Sequence, residues 1–156
     1  MKTIIRNQLF ETNSSSSHTL TLKSKSEMEK PYNDGEHFRE NHVSPIRKLD
    51  WIEGYLGALL MNAGSEGLET LKKLSTWIKE SLQDIKVVFD NYTFLADVED
   101  IEYDDRVQEF WRDEGMELFE DSFIARYADS ESNFKQYIRE IVLNDHYIIE
   151  VSGYYG

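Results

Sequence analysis

Two amphipathic stretches joined by a very short turn constrain the fold of this chain more than any other feature. Ser44 and Pro45 are typical of a helix start, with serine as the N-cap and proline in the first turn. Residues 62–64, Asn-Ala-Gly, predict a glycine cap, and Ser65 is expected to cap a second helix. The pattern therefore predicts two antiparallel neighbours. Their apolar stripes are Ile46, Leu49, Ile52, Leu56, Leu59 and Leu60, and then Leu68, Leu71, Leu74, Ile78 and Leu82.

Shorter patterns on either side of this pair predict strands and further helices. Period-two alternation over residues 18–23 predicts a strand, and the segment 3–10 before it is expected to pair with it as a hairpin. Other strands are predicted at 86–89, with 92–95 continuing or pairing with it, and at 147–151. Further helices are predicted from Val107 towards Phe119 and over 132–143.

These elements predict one α+β domain over residues 1–156, with three to four helices packed on a small, mainly antiparallel sheet. Residues 24–43 are polar and contain the turn signals Pro31 and Asn33-Asp34-Gly35, so they are predicted to be a long loop. The chain is 40% hydrophobic and 13% aromatic, which is enough to fill the core of a domain of this length.

The chain has no cysteine, which excludes disulfides and thiolate metal sites. The N-terminal segment lacks the apolar stretch of a signal peptide. No run approaches the roughly 18 apolar residues that a membrane span needs. We therefore expect a cytoplasmic protein that contacts no membrane.

The net charge of −13 lies almost entirely in one segment. Residues 90–131, the acidic segment, contain 15 acidic and 3 basic side chains, a net charge of −12. The first 48 residues contain 8 basic and 6 acidic side chains and are slightly basic. A segment this acidic repels nucleic acid and anionic membranes and attracts basic surfaces.

Aromatic residues are interleaved with the acids of this segment, and two interpretations follow. One is a solvated face that keeps the protein in solution. The other is a surface that imitates the phosphate rows of a nucleic acid duplex and is anchored by exposed aromatic rings. The second predicts that a partner contacts Asp97, Glu99, Asp100, Glu102, Asp104, Asp105, Glu109, Trp111, Asp113, Glu114, Glu117, Glu120 and Asp121.

A run of serines before His18 is the most unusual local feature. A hydroxyl of Ser16 or Ser17 beside the imidazole could act as a nucleophile with its base, and successive hydroxyls could hold an anion. The commoner role of such a run is a turn in which the serines bond their own backbone.

The string from residue 6 to 20, RNQLFETNSSSSHTL, resembles the start of a set of bacteriophage and Gram-positive bacterial proteins. These share the pattern R-x-x-x-F-E-T-N-S-S-S-x-H-[ST]. The resemblance covers about a tenth of the chain. It implies a phage or mobile element in a bacterial cell as the origin, and it implies no chemistry and no functional residues.

No metal or cofactor is predicted. His37 and His42 are five residues apart and would not share a helix face, although a loop could bring them together on zinc. Asp100, Glu102 and Asp104 match the first ligands of a calcium loop, but its glycine and final glutamate are missing. Residues 84–86, Asp-Ile-Lys, match a metal-dependent nuclease motif only at three positions, which is common by chance.

Together these features favour a binding protein over an enzyme. We expect a phage-encoded, anti-CRISPR-like inhibitor that mimics DNA and makes no direct contact with nucleic acid. It would occupy the basic surface of a host protein such as a CRISPR effector nuclease, another defence nuclease or a polymerase subunit. The alternatives are a small enzyme that acts on a nucleotide, RNA or protein through Ser16, Ser17 and His18, and a phage structural or regulatory protein.

Overall fold

The structure, a computed structural model, describes residues 6–8, 17–24, 37–112, 117–119 and 130–154, with side chains at 39–111 and 130–151. These ranges contain five α-helices, two 3-10 turns and five strands. The helices are α1 (Pro45–Met61), α2 (Gly64–Leu82), α3 (Lys86–Asn91), α4 (Asp105–Arg112) and α5 (Glu131–Leu143). The 3-10 turns are Leu95–Asp97 and Ile101–Tyr103, and the strands are β1 (Arg6–Gln8), β2 (Ser17–Ser24), β3 (His37–His42), β4 (Glu117–Phe119) and β5 (Tyr147–Tyr154).

Helix α1 lies at the centre of the molecule. Its N-cap is Ser44, whose Oγ accepts a hydrogen bond from the Arg47 amide at 3.3 Å. Every residue from 51 to 58 is buried, so α1 is covered on all sides and not only along its predicted stripe. Helices α2, α4 and α5 and strand β5 pack around it.

A buried lysine joins α1 to the end of α5. Lys48 is fully buried, and its Nζ donates to the carbonyl oxygens of Ile141 and Asn144, each at 2.9 Å. These carbonyls belong to the last turn of α5 and the residue that follows it, where the helix dipole favours a cation. The pairing explains how a charged residue is accommodated in the core.

The described strands form two antiparallel sheets. In the larger sheet the order is β2-β5-β3, so the C-terminal strand is central; Ser17 and His37 both lie opposite Tyr154. Ile149 and Val151 of β5 join the helical core. Strands β1 and β4 form a separate pair with Arg6 opposite Phe119. No helix in the described ranges is long and apolar enough to cross a bilayer.

The structure confirms the α+β class, with a fifth helix added to the three or four predicted. Helices α1, α2 and α5 and strands β2 and β5 lie where they were predicted. The turn glycine, Gly64, has the expected positive φ of 65°. The prediction that Ser65 caps α2 is wrong: α2 begins at Gly64, and Ala63 is at the N-cap position without a side-chain bond.

Four further predictions are wrong. The hairpin of the first two strands does not form, because β1 pairs with β4 and β2 pairs with β5. Residues 24–43 are not loop throughout, because β3 occupies His37–His42 at the sheet edge. The segment expected to continue the α4 helix to Phe119 contains β4. The strand predicted at 86–89, with 92–95 continuing or pairing with it, is absent: 92–94 are not in a strand and Leu95 begins a 3-10 turn. Residues 86–91 form the helix α3, which buries only Val88 and pairs Lys86 with Asp90 at 2.5 Å along its exposed side.

Candidate functional site

The first half of the acidic segment is fixed on the core by apolar side chains that alternate with its acids. Residues 92–112 contain the two 3-10 turns and α4, and α4 packs along α1. The acids therefore project from a segment that is tightly held. The buried side chains that hold it are Tyr92, Phe94, Leu95, Ile101, Val107 and Phe110.

Two glycines of α1 allow α4 to approach closely. A Cβ at Gly54 would lie 2.7 Å from the backbone oxygen of Arg106, and one at Gly57 would collide with Cγ2 of Val107. Phe110, one turn further along α4, then packs edge-on against Trp51 at 4.8 Å between ring centroids. The spacing of these glycines on one side of α1 thus sets the position of α4.

The side chain of Arg106 connects several parts of the acidic segment to one another and to α1. Its Nε and Nη2 donate to the two carboxylate oxygens of Asp104, each at 2.8 Å. Its Nη1 donates to Tyr92 Oη at 2.5 Å, to the Thr93 carbonyl at 2.7 Å and to Glu53 Oε2 at 3.4 Å. One planar guanidinium therefore joins α1, the residues after α3 and the start of α4.

Glu53 is the buried counter-charge of this cluster. It is fully buried on α1, and its Oε1 accepts from the Leu95 amide at 3.4 Å. Burial raises the pKa of Glu53 from 4.5 to about 7, although the Arg106 charge acts in the opposite direction. Burial also acts to raise the pKa of Asp104, but its hydrogen bonds and ion pair with Arg106 outweigh this and hold that pKa below its usual value.

Four exposed acids on this scaffold form the set that we call the acidic ridge: Glu99, Asp100, Glu102 and Asp105. Residues 97–111 contain seven acidic side chains and one basic one, Arg106. Two of the seven acids have strong cationic partners: Asp104 binds Arg106, and Asp97 binds Lys79 Nζ at 2.5 Å. The four acids of the acidic ridge form no such ion pair within the described part of the chain.

An aromatic groove lies beside the acidic ridge. It has a volume of about 180 Å³ and is lined by Met61, Glu102, Tyr103, Val107, Gln108 and Trp111. Tyr103 is 71% exposed and Trp111 43%, whereas the other two tryptophans are buried. Trp111 was predicted to be a contact residue, and the structure places it beside Glu102 in this groove.

A second depression, the polar cleft, lies on the opposite flank of α4. Its volume is about 360 Å³, and charges of both signs line it, so it does not extend the acidic ridge. The His42 ring packs against Trp51 at 5.1 Å between centroids, tilted by 35°. Burial lowers the pKa of His42, and the Glu40 carboxylate, 3.4 Å from Nε2, acts in the opposite direction. The lining residues are Glu40, His42, Arg47, Asp50, Trp51, Arg106, Glu109 and Phe110.

The remaining predicted contact residues belong to the second half of the acidic segment. Asp113, Glu114, Glu120 and Asp121 lie outside the described residues. Glu117 is placed only through its backbone, in β4 opposite Gln8. The structure therefore brings together the contact residues from Glu99 to Trp111.

The serine run is described only at its end. Ser16 lies outside the described residues, while Ser17 and His18 begin β2, where they lie opposite Tyr154 and Gly153 of β5. These two residues therefore have a structural role, because they begin a strand that is paired in a regular antiparallel register. The catalytic interpretation of the run stays a prediction.

Within the described ranges, no group of three or more histidine or acidic side chains could hold a metal ion. The nuclease-like triplet is also separated: the Asp84 carboxylate binds Arg139 of α5 at 2.7 Å, and Lys86 binds Asp90. Asp100, Glu102 and Asp104 are not such a group either, since Asp104 is held by Arg106.

Sequence reasoning missed the residues that position this surface. Lys48 and Glu53, two charged residues within an apolar helix, were the available signal for buried pairing. Gly54 and Gly57, three residues apart, were the signal for a close helix contact. No family model matches the chain, and no curated protein or solved structure matches it significantly.

Proposed function

We propose that this protein is a binding protein that occupies the basic nucleic-acid-binding surface of a host protein through its acidic ridge. The observation that carries the proposal is the set of exposed, closely spaced acids on a segment fixed to the core. Exposed aromatic side chains lie beside these acids, as at the energetic centre of many protein interfaces.

The orientation of Arg106, the basic residue within this segment, supports this function. Arg106 is the only basic residue between 97 and 111, and it is turned inward onto Asp104, Tyr92 and Glu53. The acidic ridge therefore keeps its charge, which is unfavourable for the isolated protein because like charges repel. A basic partner would relieve that repulsion and would be attracted at long range.

The rigidity of the surface also supports binding. A partner that docks on a segment already fixed by buried rings and by Arg106 does not have to order it first, so less affinity is lost on binding. The resemblance of residues 6–20 to phage proteins makes a host defence or nucleic-acid-processing protein in the bacterial cytoplasm the proposed target, in the manner of an anti-CRISPR inhibitor.

Competition with nucleic acid tests the proposal. Host proteins retained by the immobilised protein at low salt are purified and loaded with labelled duplex DNA or with RNA. We expect the protein to displace the nucleic acid at stoichiometric concentration, because both ligands would use the same basic surface.

Two charge variants provide the matched comparison. The ridge variant is E99Q/D100N/E102Q/D105N, and the control variant is E66Q/E69Q/E140Q/D145N, which removes four exposed acids elsewhere. Each set changes the net charge from −13 to −9. The control variant should still displace nucleic acid, and the ridge variant should not. Equal displacement by both, or a partner that binds no nucleic acid, would contradict the proposal.

A further inference from the structure

The aromatic groove has the shape and chemistry of a site for one side chain. Two of its lining residues are apolar and partly or fully covered, Met61 at the end of α1 and Val107 of α4. Its exposed lining residues are the aromatic Tyr103 and Trp111 and the acidic Glu102. The apolar side chains can accept a methylene stem, while the rings and the carboxylate can accept a positive charge.

The two rings are exposed at a cost to the isolated protein. Among the described residues, neither ring stacks on another aromatic side chain, in contrast to Trp51, which packs between His42 and Phe110. Large apolar side chains exposed next to one another are typical of binding sites. Tyr103 and Trp111 also bring little conformational entropy to lose when a ligand covers them.

The negative charge around the groove favours a cationic ligand. Glu102 forms no ion pair in the described part of the chain, and its neighbours Asp100 and Asp105 are also acidic. Gln108 donates its amide to the Glu102 carbonyl oxygen, which fixes the backbone that carries this carboxylate. An apolar or anionic side chain would leave the carboxylate without a partner, whereas a cation would pair with it.

We propose that the aromatic groove binds an arginine side chain of the partner. The planar guanidinium can stack on Trp111 or Tyr103 and donate two parallel hydrogen bonds to Glu102, and lysine can do neither as well. This inference rests on the proposed function, since it assigns one arginine of the basic partner to one place on the acidic surface.

Capped tripeptides test the groove directly. Gly-Arg-Gly, Gly-Lys-Gly and Gly-citrulline-Gly are titrated into the full chain while the indole N–H resonance of Trp111 and the backbone amide resonances of α4, which Y103A/W111A retains, are followed. We expect saturable shifts with the arginine peptide, several-fold weaker binding of the lysine peptide and no binding of neutral citrulline. Y103A/W111A should abolish binding, and V87A, which truncates another exposed apolar side chain, should not.

Two single substitutions distinguish binding in the aromatic groove from general electrostatic attraction to the acidic surface. E102Q should weaken the arginine peptide at least fivefold, whereas E99Q, an identical charge change outside the groove, should have less than a twofold effect. Equal effects of the two, or shifts that survive Y103A/W111A, would overturn the groove inference but leave the proposed function standing. Arginine binding in the groove without displacement of nucleic acid from the partner would instead count against the proposed function alone.

Discussion

At the residue scale, Arg106 and Glu53 decide whether the acidic surface has a fixed shape. Glu53 is fully buried and Arg106 is largely covered, and removing Arg106 would leave the buried Glu53 carboxyl without its cationic partner. Breaking such a pair typically costs ~3–5 kcal/mol. Neither residue was singled out from the sequence, because their partners are separated from them by up to 53 positions along the chain.

Glu53 should make the stability of the protein depend on pH. Its pKa is about 7 in the folded protein and 4.5 in the unfolded chain, so the folded state binds the proton more tightly. The stabilisation is complete below the lower value and is lost as pH rises through the upper one. The groups that face the Glu53 carboxyl are Arg106 of α4, Tyr92 after α3 and Ser75 of α2.

Urea unfolding of wild type and E53Q measures this effect. Between about pH 4.5 and about pH 8, wild type should lose about 3 kcal/mol relative to E53Q, which follows from the size of the pKa shift. Most of the change should fall between about pH 5 and about pH 7. A stability difference that is constant with pH would show that Glu53 does not titrate in this way.

At the element scale, the sequence predicts best where one periodic pattern decides the structure. The stripes of α1, α2 and α5 are long and regular, and their helices lie where expected. Residues 87–89 form a short apolar run whose pattern predicts a strand. In the folded protein only Val88 of this run is buried, and the segment is helical. Strand pairing was not predictable, since β1 and β2 pair with strands more than 100 residues away.

The contact between α1 and α4 should fail when its glycines acquire a side chain. G54A places a Cβ against the Arg106 backbone, which cannot move aside, so we expect a loss of about 1–3 kcal/mol in urea unfolding. Amides of α4 should exchange with solvent faster, while those of α2 should keep their protection relative to global unfolding.

Gly57, the second glycine at this contact, provides a comparison for G54A. G57A collides with the side chain of Val107, so the added substitution V107A should recover part of the lost stability. No partner substitution on α4 should rescue G54A in this way, because its obstacle is backbone. Unchanged stability of G54A would contradict the close approach of α4 to α1.

At the scale of the whole molecule, the excess negative charge is concentrated in one segment of the chain. The location of the excess acid was predicted from the sequence, and so was the interleaving of Trp111. What could not be predicted is which acids are neutralised: Asp97 and Asp104 are tied to Lys79 and Arg106, while Glu99 and Glu102 are exposed. Only the folded chain brings those cations to their acids.

The most direct test of the central claim is the salt dependence of partner binding. The dissociation constant of the purified partner is measured for wild type, the ridge variant and the control variant from about 50 to about 300 mM salt. Wild type and the control variant should weaken steeply and in parallel as salt rises, and the ridge variant should bind more weakly with a flatter slope. Identical slopes for all three proteins would contradict a docking surface on the acidic ridge.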